Sequence, residues 1–267
     1  MKYTLTTLAL SCTLLLSCKK MIQYSPLEVR LEEADKKLNA KNIARIEAIP
    51  QQDTLRFVVI GDSQGFYDET NDFVDVLNRR NDIDFVVLAG DIVEYGDSRE
   101  FKWMSQSLRK LTVPFIGVIG NHDMVANARQ VYKEMFGAEN FAFQCNGSQF
   151  VCLNTNGFMT NYDGTVPNLS WLRQQLQSDE AYKNTFVVSH IPPFAGGFGW
   201  DKEKEYAAIL ADNPTTRLSI HGHIHEYGVS RPYNDGIEYL VVSNMLKRSY
   251  VVVTVVAQTY RFEQVFY

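Results

Sequence analysis

The sequence is poor in basic residues and in cysteine. Its 267 residues carry 26 Lys and Arg against 31 Asp and Glu, which gives a formal net charge of −5. This balance implies no polyanion-binding surface, and the lack of a basic stripe argues against nucleic-acid binding. The chain has no internal repeat or low-complexity stretch, and hydrophobic residues make up 45% of it. We therefore expect one large domain with a substantial core.

The apolar segment at the N-terminus is too short to cross a bilayer as a helix. It covers residues 4–16, follows Lys2 and ends in the tetrapeptide LLSC at 15–18, which is the layout of a signal peptide. This ending resembles the lipobox of bacterial lipoproteins, in which the cysteine is lipidated and becomes the first residue. We expect a signal peptide over 1–17, a lipid anchor on Cys18, and a membrane-anchored protein of the cell envelope that faces the periplasm or the exterior. An ordinary secretory signal with a chance cysteine is the alternative.

Two further cysteines, Cys145 and Cys152, flank an Asn-Gly pair that favours a two-residue hairpin turn. Such a turn pairs Gln144 with Gln149, so the two cysteines do not lie opposite each other. A disulfide needs close Cβ atoms. We expect both thiols to be free and buried.

Short apolar runs bounded by turn residues alternate with helix-like stretches along the chain. Residues 18–55 are expected to form a tether and an N-terminal helical segment, and residues 56–267 the main domain. The predicted strands cover 57–60, 85–88, 114–119, 141–144, 150–154, 185–189 and 218–220. The predicted helices cover 70–80, 97–110 and 169–176. This alternation indicates an α/β fold whose sheets are covered by helices.

The C-terminal part has a different pattern. Residues 238–242, 250–256 and 259–266 are three strand-like runs with little helix between them. We expect them to extend one sheet in an antiparallel manner.

All five histidines lie in segments that suit a metal site. They are His122, His190, His221, His223 and His225. The steps Gly61-Asp62 and Gly90-Asp91 each end an apolar run. Histidine is the commonest metal ligand, carboxylates can bridge ions, and the carboxyl ends of strands converge in open α/β sheets. Glycine before each acid lets the backbone turn sharply and approach a metal closely. A metal centre is therefore predicted.

The motifs occur in a characteristic order. They are Gly61-Asp62-Ser63-Gln64, Gly90-Asp91, Gly120-Asn121-His122-Asp123, a lone His190 and Gly222-His223-Ile224-His225. This order resembles the calcineurin-like metallophosphoesterase superfamily from Gly61 to His225, most of the mature chain. The resemblance implies a metallophosphoesterase domain over 56–267. Its expected fold is a β-sandwich of mixed sheets flanked by helices, in four αββα layers.

The resemblance also implies roles for individual residues. Two adjacent metal ions are expected, with Asp62 and His225 binding the first, Asn121, His190 and His223 the second, and Asp91 bridging both. A hydroxide between the ions would attack phosphorus in line. His122 would be the general acid that protonates the leaving oxygen, and Asp123 would orient its ring.

One residue departs from the family pattern. Many members have a histidine two residues after the first aspartate, where this chain has Gln64. Gln64 is either a direct, weaker ligand or a hydrogen-bonding residue outside the ligand set. The harder oxygen ligand favours Mn or Fe over Zn among the three candidate ions. The purple, ferric-tyrosinate type of enzyme is not expected, because Glu94 stands where a tyrosine is required and Tyr95 comes one step late.

Other residues near the motifs have weaker signals. His221 lies just outside the Gly-His-x-His core, and we expect it to have a structural role. The glycine-rich loop 195–200 lacks the lysine and serine of a nucleotide-binding loop. We expect it to be a flexible lid that offers Phe198 or Trp200 to the substrate, with 156–168 as a second rim loop.

These observations predict an enzyme that hydrolyses a small-molecule phosphomonoester or phosphodiester, anchored to a membrane by its N-terminal lipid. A similar Asp-x-Gln step occurs in Mn-dependent pyrophosphatases of the superfamily, so hydrolysis of nucleotide-diphosphate compounds is one alternative. A catalytically silent, metal-binding lipoprotein is another. No protein partner can be inferred from the sequence.

Overall fold

The computed structural model describes residues 29, 31–177 and 182–267. The eleven strands of this part are β1 (Thr54–Ile60), β2 (Phe85–Leu88), β3 (Phe115–Gly117), β4 (Phe141–Cys145), β5 (Ser148–Leu153), β6 (Asn184–Ser189), β7 (Thr216–His221), β8 (Gly228–Ser230), β9 (Glu238–Val241), β10 (Ser249–Val256) and β11 (Thr259–Phe266). The α-helices of the same part are α1 (Leu38–Glu47), α2 (Tyr67–Leu77), α3 (Ser98–Leu108), α4 (Ala128–Met135), α5 (Leu169–Leu176) and α6 (Glu203–Asp212). Short 3₁₀ turns lie at Glu33–Asp35, His122–Met124, Gly157–Thr160 and Met245–Lys247.

The strands form two mixed sheets. Sheet one has the order β11-β10-β1-β2-β3, and sheet two has the order β4-β5-β6-β7-β9-β8. Strands β1, β2 and β3 run parallel to one another, as do β5, β6, β7 and β9. Strand β2 is apolar and buried along its whole length, as expected for a strand with both faces covered.

Aromatic rings hold the two sheets together. Phe57 of β1 stacks on Phe85 of β2 with ring centroids 5.4 Å apart. Phe57 also meets the edge of Phe150 in β5 at 5.1 Å, and Phe150 stacks on Phe186 in β6 at 5.2 Å. These rings belong to one buried cluster with residues from both sheets. The sheets therefore pack face to face as a sandwich.

Helices cover the two outer faces. Side chains of α2, α3 and α4, including Phe73, Phe101 and Tyr132, bury the outer face of sheet one. Side chains of α5 and α6, including Leu172 and Tyr206, bury the outer face of sheet two. This gives the four-layer αββα arrangement, and the predicted fold class is confirmed.

Helix α1 is docked on the sandwich. The side chain of Asn39 donates to the carbonyl of Gly117 at 2.9 Å and accepts from its N–H at 3.0 Å. Ile46 is fully buried in the cluster between the sheets. The helical part of 18–55 is therefore fixed against the end of β3, and it is not a solvated spacer.

The C-terminal prediction is confirmed for its second and third strands and is wrong for its first. Strand β9 lies in sheet two, parallel to β7, whereas β10 and β11 form an antiparallel pair in sheet one. The chain crosses between the sheets at residues 242–248, because β10 pairs with β1 from Val251 opposite Val59 to Val256 opposite Thr54. Strand β8 and helices α4 and α6 are also absent from the sequence prediction.

The hairpin prediction is confirmed. Gln144 of β4 lies opposite Gln149 of β5. Cys145 and Cys152 are both free and buried. Burial raises the pKa of the Cys145 thiol to about 12, so it is not a reactive thiolate at neutral pH.

The predicted signal peptide and Cys18 lie outside the described residues. In the part of the chain that is described, none of the helices has the length and apolar character needed to cross a bilayer.

Candidate metal centre

Strands of both sheets end at one edge of the sandwich, and the predicted ligands lie there. They are Asp62 after β1, Asp91 after β2, Asn121 after β3, His190 after β6, and His223 and His225 after β7. A parallel bridge between Gly61 and Asn244 joins the end of β1 to the segment after β9. The Asp62 carboxylate accepts from the backbone N–H of His223 at 3.0 Å. The two sheets are thus linked at the site itself.

Two groups of side chains have the spacing of metal-ligand sets. One is Asp91, His190 and His223, and the other is Asp62, Asp91 and His225. Within each group the candidate ligand atoms all lie within 4.8 Å of one another. Asp91 belongs to both groups, which is the position that a carboxylate bridging two ions must have.

The His190 ring is oriented through both of its nitrogens. Nδ1 lies 2.8 Å from the carbonyl oxygen of Ala89, to which it donates its proton. Nε2 faces the Asp91 carboxylate at 3.0 Å and Asn121 Oδ1 at 3.1 Å. A neutral His190 therefore points its lone pair at two other acceptors. Metal-binding histidines characteristically donate their other N–H to a carbonyl in this way.

Asn121 supplies a third converging oxygen. Its Oδ1 also lies 3.0 Å from Nδ1 of His223. Burial and the charge of His190 lower the pKa of His223, which favours the neutral ring that binds metals. A cation between Asn121, His190 and His223 would satisfy all three ligand atoms at once. The residues present therefore fit a metal ion at this position.

In the described chain, histidines supply the positive charge opposite the two buried carboxylates of the site. Asp62 and Asp91 are fully buried, and in the described part of the chain their ion-pair partners are His225 and His190 alone. Burial favours the protonated form of Asp91, but the charge and hydrogen bond of His190 lower its pKa. Burial likewise opposes a charge on His190, but Asp91 raises the pKa of that ring to about 9. A buried carboxylate needs such a positive partner, and a metal ion provides one.

Gln64 follows Asp62 by two residues and is buried. Its side-chain oxygen has no hydrogen-bond partner in the structure. Its backbone N–H donates to the carbonyl of Asp91 at 3.2 Å. Buried polar atoms are nearly always satisfied, so an orphan oxygen at a metal centre indicates a missing ligand contact. This fits either role predicted for Gln64, direct ligand or hydrogen-bonding residue.

Four candidate ligands have the left-handed backbone conformation, which residues other than glycine seldom adopt. They are Asp62 at φ 50°, Asp91 at φ 52°, His223 at φ 71° and His225 at φ 64°. Such residues cost about 1–3 kcal/mol each and cluster at functional sites. In the Gly61-Asp62 step the turn is thus made at the acid, whereas in the Gly90-Asp91 step both residues have a positive φ, 90° at Gly90 and 52° at Asp91.

The glycines also allow close approach to the ligands. A Cβ atom on Gly120 would lie 2.1 Å from the backbone nitrogen of Asp91, and one on Gly222 would lie 2.6 Å from Oδ2 of Asp62. A Cβ atom on Gly90 would lie 2.5 Å from Nδ1 of His190. Because these glycines have no Cβ atom, Asp91, Asp62 and His190 can pack directly against the backbone at these three positions.

His122 does not lie in either ligand group. Its Nδ1 donates to the carbonyl oxygen of Glu94 at 2.7 Å, and its backbone N–H donates to Oδ1 of Asp91 at 2.9 Å. The ring is half-buried. Its Nε2 is therefore the ring nitrogen available to a substrate. The backbone of the same residue contacts the shared carboxylate of Asp91.

The partner of the His122 ring at Nδ1 is the Glu94 carbonyl, and Asp123 makes other contacts. The Asp123 carboxylate is fully buried and accepts from the backbone N–H groups of Ile92, Val93 and Gly120 at 2.9, 3.1 and 2.8 Å. Burial and the charge of Asp91 raise its pKa to about 7. Asp123 thus ties the loop after β2 to the loop after β3.

His221 has a structural role. Its Nδ1 lies 3.0 Å from Oγ of Ser189, and its Nε2 lies 2.8 Å from Oγ of Ser219. Burial and the charge of His190 lower the pKa of His221 to about 3. The ring is neutral, both nitrogens are engaged, and it supports the segment that carries His190.

The sequence motifs miss three contributors to the centre. The carbonyls of Ala89 and Glu94 orient His190 and His122, and a backbone carbonyl leaves no sequence signal. Asn244 bridges to Gly61 and has a buried, unpartnered side-chain oxygen. No motif includes Asn244, which follows β9 without a neighbouring glycine, acid or histidine.

The family model of the calcineurin-like phosphoesterases matches residues 55–227. The chain belongs to this family. A probable glycerophosphodiester phosphodiesterase of Arcobacter nitrofigilis is 25% identical over 154 residues, 53% of this chain and 56% of that protein. A probable cyclic nucleotide phosphodiesterase of Coxiella burnetii is 24% identical over 182 residues, 63% of this chain and 71% of that protein. The predicted resemblance is confirmed.

Solved structures share the fold at low identity. A purple acid phosphatase from yellow lupin superposes with a TM-score of 0.65 at 13% identity, covering 82% of this chain and 52% of the lupin chain. A dimetal phosphatase from Danio rerio superposes with a TM-score of 0.60 at 15% identity, covering 80% of this chain and 99% of that one. The chain spans only about half the length of the Arcobacter relative and of the lupin protein.

Replacing Gly120 by alanine tests the close packing around Asp91. The new methyl group would overlap the backbone nitrogen and Oδ1 of Asp91, so the shared carboxylate must move. We expect metal affinity to fall roughly 10- to 100-fold, the usual effect of disturbing the surroundings of metal ligands. Metal titration of the purified full-length protein measures this. Gly228→Ala, where a Cβ atom meets nothing within 4 Å, is the control, and wild-type affinity in Gly120→Ala would contradict the geometry.

Proposed function

We propose that the protein hydrolyses phosphodiesters at a dinuclear metal centre. The observation that carries this proposal is the pair of ligand groups that share the buried Asp91. Two ions held at one carboxylate suit phosphoryl transfer, in which the attacking and the leaving oxygen need stabilisation together. Family membership and relatives named as phosphodiesterases support the reaction class.

The chain's own residues would bind and orient the reacting groups. Asp91 would keep the two ions at a fixed separation, since its two oxygens are positioned by His122 N–H and by His190. When bound, the ions supply Lewis-acid stabilisation of the charge on the phosphoryl oxygens. Asn121 would contribute a neutral oxygen, and Gln64 as a direct ligand would contribute a second, which favours Mn or Fe as the resident metal over Zn.

His122 would act as the general acid. Because its Nδ1 donates to the Glu94 carbonyl, Nε2 is the nitrogen that would carry the proton passed to a leaving oxygen. Donation from Nε2 would neutralise the alkoxide as the P–O bond breaks. Such assistance contributes about 10²–10⁴-fold to a rate.

A pyrophosphatase acting on nucleotide-diphosphate compounds is the second candidate, and Gln64 is the residue that favours it. Both reactions use the same centre and differ only in the group attached to phosphorus. Product analysis separates them, because pyrophosphatase action on such compounds releases a nucleoside monophosphate.

The first test is metal analysis of the full-length protein together with hydrolysis of bis-p-nitrophenyl phosphate and p-nitrophenyl phosphate after Mn addition. We expect close to two metal ions per chain and turnover of the diester in preference to the monoester. Asp91→Asn, which removes the shared ligand, is expected to lose both. A metal-replete wild-type protein that is inert on diester, monoester and pyrophosphate substrates would support a silent binding protein instead.

His122→Gln tests the general acid. The variant should retain both metals, because His122 lies outside the ligand groups. We expect kcat to fall about 10²–10⁴-fold for a diester with a poor alkoxide leaving group, and much less for a p-nitrophenolate leaving group, which needs no proton. Loss of metal in this variant would show that His122 is a ligand, and an equal loss on both substrates would exclude general-acid catalysis.

We also propose that the protein is a lipoprotein of the cell envelope, anchored through Cys18. The LLSC tetrapeptide after a short apolar segment supports this. Cys18→Ala should move the protein from the membrane fraction to the soluble fraction of the producing cells, and fractionation with blotting measures this. Unchanged membrane association of the variant would contradict a lipid anchor on this residue.

A further inference from the structure

A cavity of about 320 Å³ is lined by the loop that follows His190 and by Tyr162 of the 156–168 loop. We call it the aromatic pocket, and it is formed by Tyr162, Phe194, Trp200 and Glu203 with the backbone of 195–199. Its size is at the lower end of the range for small-molecule sites. The glycine-rich loop singled out in the sequence thus forms one wall.

The rings of this pocket are unusually exposed. Trp200 has 82% of its surface open to solvent, the largest exposed fraction among the described large hydrophobic residues that face solvent. The ring centroids of Trp200 and Tyr162 are 5.1 Å apart, and the angle between the two ring planes is 64°. Phe194 is 38% exposed and Tyr162 is 36% exposed. Exposed aromatic residues gathered around a cavity mark a binding site.

Of the two rings that the sequence offers for this role, Phe198 does not fill it. It is 1% exposed and packs edge-on against Tyr206 of α6, with ring centroids 5.2 Å apart. Phe198 therefore anchors the loop to sheet two and leaves Trp200 as the ring presented to a substrate.

The pocket is held close to the metal ligands. Phe194 follows His190 by four residues, which span at most about 14 Å, and Pro192 and Pro193 stiffen the connection. On the opposite wall, Phe158 N–H donates to the carbonyl of Gly197 at 3.0 Å and joins the two loops.

The opposite wall is also tied to the segment that carries Asn121. The Asn156 side chain donates to the carbonyl of Ile119 at 3.0 Å. The loops that line the pocket are thus tied to the segments that carry His190 and Asn121.

The charge of the pocket selects the type of arm. None of the described residues that line it is a lysine, an arginine or a histidine, and Glu203 is its one charged group. The carboxylate of Glu203 accepts from the Tyr233 hydroxyl at 2.7 Å. The neighbouring Lys202 points away, since its ammonium donates to the carbonyl of Pro167 at 2.8 Å. A second phosphate or carboxylate would be repelled, whereas an uncharged planar ring could stack on Trp200.

We propose that the aromatic pocket binds an uncharged planar ring, such as a nucleobase or an aryl group, on the ester arm that stays bonded to phosphorus. This assignment rests on the proposed phosphodiesterase function. His122, which would protonate the leaving arm, follows β3 in sheet one, whereas Phe194 and Trp200 follow β6 in sheet two. The leaving arm and the retained arm therefore extend towards different sheets.

The test compares two diesters that share one leaving group. Bis-p-nitrophenyl phosphate retains an aryl arm, and methyl p-nitrophenyl phosphate retains a methyl arm. In the full-length, Mn-loaded protein, Trp200→Ala should lower kcat/KM for the aryl arm roughly three- to tenfold, the range of an aromatic pair. The value for the methyl arm should be unchanged. Trp200→Phe should restore most of the loss.

Phe266→Ala is the matched control, because Phe266 is a 69% exposed aromatic residue on the edge strand of sheet one. It should leave both substrates unaffected. If wild type hydrolyses both diesters and Trp200→Ala changes both equally or neither, the pocket assignment is wrong while the proposed function stands. If wild type hydrolyses neither diester under any metal, the proposed function itself fails, and the pocket assignment with it.

Discussion

The burial of two carboxylates without a lysine or arginine beside them is the constraint on which the site depends. Asp62 and Asp91 are fully buried, and the groups that face them in the described chain are histidines and backbone N–H groups. Removing carboxylates from water is costly unless positive charge compensates. A chain that keeps both acids at one edge of its sandwich, and turns both through the left-handed region, is therefore built around cations. Bound cations would explain both the left-handed backbone conformation of Asp62 and Asp91 and the burial of their carboxylates.

Backbone geometry brings the acids to this edge. Each sheet contributes parallel strands whose carboxyl ends point the same way, and the bridge between Gly61 and Asn244 aligns the two edges. The absence of a Cβ atom on Gly120 and Gly222 then allows each loop to touch an acid on another loop. Side-chain chemistry and sheet packing are thus coupled, since a shift of either sheet would separate Asp62 from His223.

Much of this was accessible from the sequence. Short apolar runs gave the central strands, and the order of the Gly-Asp, Asn-His-Asp and Gly-His-x-His steps gave both the family and the groups that share Asp91. The predicted helix over 97–110 is present as α3, and the structure shows a full capping box between Asp97 and Glu100 at its start. The placement of β9 was not accessible, because a short apolar run does not reveal which of two sheets it joins. The orientation of His122 was also missed, since the Glu94 carbonyl that sets it belongs to the backbone.

The metal centre and the aromatic pocket are packed to different degrees. Asp91 is surrounded by ligands, glycines and a neighbouring loop, so almost any substitution near it would disturb the centre. Trp200 is largely in solvent, and its ring contact in the described chain is with Tyr162. Substitutions in the loop that carries it should therefore cost little stability, since surface changes usually alter the free energy of unfolding by less than about 0.5 kcal/mol. A phosphoesterase built this way can change its preferred ester arm while its metal centre stays the same.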